Sequence, residues 1–202
     1  FILLLTFCNS MFGMAYIHLM PVFAKEVLDV GAERISWLYG AVGVGAILGT
    51  VIIGNLKDKH PMGLVILGGA ILYGVGLILF AWAASQKEYW ASVAILVGTG
   101  AAHSLYITGG IAVLQNLVPD QLRGRVMGLY GITWSLGPLS MVYGGPVAVW
   151  LDAPWAVATG AVVIIVAALM VLVSSPQIRS LPVRVPEAQR AAYQLVPAAG
   201  DD

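Results

Sequence analysis

The chain has 202 residues, of which 59% are apolar and only 10% charged, with ten basic residues balanced by ten acidic ones. A soluble domain carries about a quarter charged residues, so this composition excludes the water-soluble classes and points to lipid as the solvent. Zero net charge supplies no basic field, so nucleic acid is not an expected partner, and the single cysteine, Cys8, allows no internal disulfide.

All twenty charges lie in short clusters between long uncharged stretches. A helix must run about 20 apolar residues to cross a hydrocarbon core of about 30 Å, because it satisfies its own backbone hydrogen bonds while rising about 1.5 Å per residue. Six stretches qualify, at 1–24, 35–56, 62–84, 89–118, 126–150 and 153–175. The fold class expected is therefore an all-α integral membrane protein of six transmembrane helices. Its transmembrane bundle would occupy 1–175, and the Pro-rich stretch 176–202 would be a flexible tail. The chain opens at Phe1, already inside an apolar segment and without the basic start of a signal peptide. The expectation is that an N-terminal part precedes it.

Seven basic residues, Lys57, Lys59, Arg123, Arg125, Arg179, Arg184 and Arg190, fall on one side of these spans, and Lys25, Arg34 and Lys87 on the other. Because loops rich in Lys and Arg stay in the cytoplasm, both ends of the segment are expected there.

Polar residues are costly at membrane depth, so their distribution marks the helices that see a cavity. The first span carries Asn9 and His18, the fourth His103, Ser104 and Thr108, and the fifth Thr133, Ser135 and Ser140, with the aromatic Trp134 among them. The third and sixth spans are almost purely apolar and read as the outer, lipid-facing pair. Asn9, His18, His103, Ser104, Thr108 and Trp134 are the candidate lining of a substrate cavity. His103, near the middle of the fourth span, is the most expensive to bury without a partner. In the second span, Gly45 and Gly49 form the small-xxx-small spacing that lets two helices pack closely.

Other chemistries fare less well. His103 and Ser104 are adjacent on a helix and point about 100° apart, too far to share a proton in a catalytic pair, so no catalytic residues are assigned and the chain does not read as an enzyme. His18 and His103 have no Cys, Asp or Glu near them at membrane depth, so neither a metal nor another cofactor is expected. A six-helix channel or a structural membrane subunit stays open as the alternative to a transporter, although no charged ring suited to an ion filter is present.

The two halves of the segment show a weak internal match. Leu38-Tyr39-Gly40 pairs with Leu129-Tyr130-Gly131, and Gly54 with Gly145. Three helices per unit would place the units in opposite orientations, the inverted-repeat plan of many secondary transporters.

The stretch Pro119-Asp120-Gln121-Leu122-Arg123-Gly124-Arg125-Val126-Met127-Gly128-Leu129-Tyr130 closely resembles the loop between the tenth and eleventh helices of the major facilitator superfamily. The branch it resembles most contains enterobactin exporters and related efflux permeases. Gly54-Asn55-Leu56-Lys57-Asp58-Lys59 resembles the loop between the eighth and ninth helices, although His60-Pro61-Met62 replaces the usual continuation. The resemblance implies that the chain is the C-terminal six-helix half of a twelve-helix transporter, with Asp58, Lys59, Arg123 and Arg125 in gating loops. It implies a missing N-terminal half, a lipid bilayer and a small amphipathic solute, drug-like or siderophore-like, as partners. The setting would be a cell membrane, the inner membrane of a bacterium. If protons drive transport, the titrating carboxylate must lie outside this chain, or His103 must stand in for it.

Overall fold

A computed structural model describes residues 2–56, 61–118 and 120–174. Asp58, Lys59 and the expected tail at 176–202 lie outside them. The described residues form helices throughout, with no strand among them.

The first span begins as α1 (Ile2–Cys8), widens into a π turn (Asn9–Gly13), continues as α2 (Ala15–Val22) and ends in a second π turn (Phe23–Val27). Then come α3 (Ala32–Asn55), α4 (Met62–Ser85) and α5 (Tyr89–Leu117), followed by α6 (Asp120–Ser135), α7 (Ser140–Leu151) and α8 (Ala153–Ser174). Five runs are long and apolar enough to cross a membrane: Ile2–Val27, Glu33–Asn55, Met62–Ser85, Tyr89–Asn116 and Ala153–Ser174.

The stretch predicted as one span at 126–150 is instead a broken pair. A 3-10 turn at Gly137–Leu139 separates α6, of 16 residues, from α7, of 12. The cause is local: Pro138 has no N–H to continue the ladder, and its ring crowds the carbonyl one turn back. Neither piece reaches the roughly 20 residues of a span alone, whereas end to end they exceed it.

The bundle closes around α4, α5 and α8. On α4, Leu64, Leu72, Val75, Leu79 and Trp82 form an exposed apolar stripe, while Tyr73, Leu77 and Phe80 are buried on the opposite side. On α8, Trp155, Val162, Val166, Met170 and Val173 face outward, and Ala156, Val157, Ala161, Ile164 and Ala168 pack inward. Exposed apolar stripes of this kind suit lipid, but burial does not single out α4 and α8 as the outer pair, because both are more buried than α3. In contrast, α3 is exposed over most of its circumference, including Trp37, Val44, Ile47, Val51 and Ile52.

The contact between α3 and α5 is a backbone-to-backbone seam. A Cβ on Gly45 would stand 2.0 Å from the Val97 carbonyl oxygen, and one on Gly49 2.3 Å from that of Ala101. Gly100 answers from α5, where a Cβ would come within 2.3 Å of the Val42 carbonyl oxygen. Only residues without side chains let the two helices approach this closely.

Candidate functional site

The candidate site is built on the π turn of the first span. The wider turn leaves Asn9 fully buried with its side chain folded back over Gly13, where a Cβ would lie only 2.5 Å from Asn9 Oδ1. From this position Asn9 Nδ2 reaches 3.4 Å from His103 Nε2, at the middle of α5. The Tyr73 hydroxyl of α4 donates to the Gly13 carbonyl at 2.9 Å, and the Tyr73 ring stacks on the His103 imidazole with centroids 4.5 Å apart at 32°. Tyr106 and Trp134 stand further out, each with its ring centroid 6.4 Å from that of His103. Four elements therefore converge on one half-buried imidazole, held on a face by Tyr73 and on one edge by Asn9.

The remaining sequence candidates divide. Trp134 is half-buried on α6 beside His103. Ser104 is buried in the seam between α3 and α5, where its Oγ meets Thr50 Oγ1 at 2.9 Å. Thr108 is half-buried further along α5. His18 is exposed on α2, donates from Nδ1 to the Met14 carbonyl at 3.0 Å, and lies 3.4 Å from Ser140 Oγ. It sits nine residues beyond Asn9, about 14 Å along a helix, and its hydrogen bonds go to Met14 and Ser140 rather than to the His103 group. Arg123 and Arg125 are exposed at the start of α6. Among the described residues no group of three or more His, Cys, Asp or Glu could hold a metal ion.

Tyr73 and Gly13 are the site residues that sequence reasoning missed. Tyr73 was visible as the one hydroxyl in an otherwise apolar third span, but its direction was not. Gly13 sits four residues after Asn9, and that spacing is the trace that could have linked them. The buried Tyr16 hydroxyl, in the same region, has no hydrogen-bond partner among the described residues. Tyr16 packs edge-on against Tyr73, with centroids 6.2 Å apart. A buried hydroxyl in that position is a group that a water or a ligand could satisfy.

The Major Facilitator Superfamily family model matches residues 2–199. The chain is 31% identical over 122 residues to a D-xylose transporter of Levilactobacillus brevis, covering 58% of this chain and 25% of that protein. It is 29% identical over 129 residues to an uncharacterized MFS-type transporter, YwfA, of Bacillus subtilis (63% of this chain, 29% of that one). With the multidrug efflux pump Tap of Mycolicibacterium fortuitum it shares 28% over 121 residues, covering 57% of this chain and 28% of the pump. The matched part is thus between a quarter and a third of the length of these relatives. No solved structure matches the chain. With its long apolar helices and a family match over nearly its whole length, this multi-pass membrane protein belongs to the Major Facilitator Superfamily.

Proposed function

We propose that the chain is the C-terminal six-helix half of a secondary active transporter that exports a small amphipathic solute by alternating access. Its helices would then stand as the seventh to twelfth of the parent protein. The observation that carries this reading is the convergence of Asn9, Tyr73, Tyr106 and Trp134 on a half-buried histidine in the middle of a membrane helix. A purely structural bundle has little reason to pay for an imidazole at that depth. The exposed circumference of α3 supports a further six-helix half as a partner. So does the modest share of each relative that the chain covers.

The cargo is read as drug-like or siderophore-like, within the efflux branch that the 119–130 motif resembles. The relatives pull in different directions, one named for D-xylose and one for multidrug efflux. A direct test is transport by the intact protein in energised vesicles with three probes: D-xylose, uncharged chloramphenicol and cationic ethidium. Export of an amphipathic probe supports the reading; movement of none of them, or passive conductance, would favour a channel or structural subunit. No Asp or Glu lies at membrane depth in this chain, so a coupling proton would be carried by the other half or by His103.

Orientation is tested separately. In a Cys8→Ala background, Gly124→Cys and Ala188→Cys are expected to react only with a reagent on the cytoplasmic side, and Lys87→Cys only from outside. The reverse pattern would overturn the placement of both ends in the cytoplasm of a bacterial inner membrane.

Arg123 and Arg125 are proposed as gating charges that form and break ion pairs as the halves rock. Replacing both with Gln is expected to lower the transport rate roughly tenfold, a loss of about 1.4 kcal/mol, with normal insertion. Transport unchanged in the double variant would reduce the pair to topogenic charge.

A further inference from the structure

His103 has two ring nitrogens, and the structure treats them differently. Nε2 faces Asn9 Nδ2 at 3.4 Å, whereas Nδ1 has no hydrogen-bond partner among the described residues. Nδ1 lies on the edge of the half-buried ring that Asn9 does not hold.

The orientation of the Asn9 amide decides which nitrogen carries the proton. Its Oδ1 rests against Gly13 on the side where any other residue would carry a Cβ, and is otherwise unpartnered. There the glycine presents a Cα hydrogen, a weak donor suited to a carbonyl oxygen. Reversing the amide would press an NH₂ group against that C–H, donor against donor, where the carbonyl oxygen has a weak donor to accept from. Asn9 therefore offers an N–H to Nε2, and Nε2 can accept it only if it carries no proton. A neutral imidazole accepting at Nε2 holds its hydrogen on Nδ1. Tyr73, anchored by its own bond to the Gly13 carbonyl, lies against one face of the ring and holds its plane.

We propose that Asn9 is a positioning residue that holds His103 as the Nδ1–H tautomer, making its open edge a hydrogen-bond donor to an oxygen acceptor on an uncharged, flat solute. The solute half of this statement rests on the transporter reading above. The chemistry of the chamber agrees with it. Trp134, half-buried beside His103, has a ring on which a planar group could stack, and no Asp or Glu of this chain lies at that depth to neutralise a cation. A ketone, amide or hydroxyl oxygen on such a solute would meet the Nδ1–H.

The test is ¹⁵N NMR of histidine-labelled intact protein in lipid nanodiscs. The His103 signals are separated from those of every other histidine in the protein by difference with His103→Gln. The wild type is expected to show His103 with a protonated Nδ1 and a bare Nε2. Asn9→Leu, which keeps the volume but removes the donor, is expected to release the ring into a mixture of tautomers. Gly13→Ala, which drives a methyl into Oδ1, should do the same while leaving Asn9 in place. A wild-type ring protonated at Nε2, or at both nitrogens, would overturn the proposal. On the same samples chloramphenicol is expected to bind at least tenfold more tightly than ethidium and to lose about tenfold in Asn9→Leu. Ethidium bound equally well, or chloramphenicol indifferent to Asn9, would overturn the solute class. Failure of all probes to be transported would count against the transporter reading alone, because the imidazole signals are read without any solute.

Discussion

Replacing Gly45 and Gly49 together with leucine is expected to lower the melting temperature of the intact protein in detergent by roughly 10 °C, reflecting a loss of at least about 3 kcal/mol. The neighbours explain the size of the effect. The atoms that a side chain would strike are the backbone carbonyl oxygens of Val97 and Ala101, at 2.0 and 2.3 Å from the missing Cβ positions. A flexible side chain could swing aside, but a carbonyl inside α5 can retreat only if the whole helix moves. Such a shift would also part Thr50 from Ser104, whose hydroxyls meet across the same seam at 2.9 Å. Gly68→Leu is the control. It lies on α4 in register with the exposed Leu64 and Leu72, and a Cβ there meets nothing within 4 Å. Its melting temperature should stay within a degree or two of the wild type. Equal loss in both variants would mean that glycine is needed for reasons other than the close approach of α3 and α5.

The seam was legible in advance because its cause is periodic: two glycines four residues apart share one face of a helix, and that is visible in sequence order. The apolar character of α4 and α8 was legible for a similar reason, from long runs of Leu, Ile, Val and Ala, but apolarity did not tell that α3 would be the more exposed helix. The π turn in the first span was not legible. It inserts one residue into a helical turn without any punctuation, because neither Asn9 nor Gly13 is distinctive in a span that already holds Thr6 and Ser10. The break between α6 and α7 lay in plain view as Gly137-Pro138, yet apolar residues on both sides made one continuous span the simpler reading. Ser104 shows a further limit. Polarity at membrane depth marks a residue that needs a partner, but does not say whether the partner is a solute or, as with Thr50, the next helix.

For His103 the same question has a kinetic answer. His103→Gln in the intact protein is expected to raise KM for the best-transported probe about tenfold, the loss of one well-placed hydrogen bond worth about 1.4 kcal/mol, with insertion unchanged. Glutamine keeps a polar group of similar reach, so Asn9 retains a partner and the chamber does not collapse around an empty space. It lacks the flat ring on which Tyr73 stacks at 4.5 Å, and it cannot present a donor where Nδ1 stood. Transport measured from about pH 5.5 to 8 separates the roles the residue could play. Recognition through a neutral ring predicts a KM raised by a similar factor at every pH. A place in proton coupling predicts a flattened profile and a fall in kcat. Wild-type KM and kcat across the whole range would leave His103 a packing residue, braced by Tyr73 and Asn9 for the sake of the bundle alone.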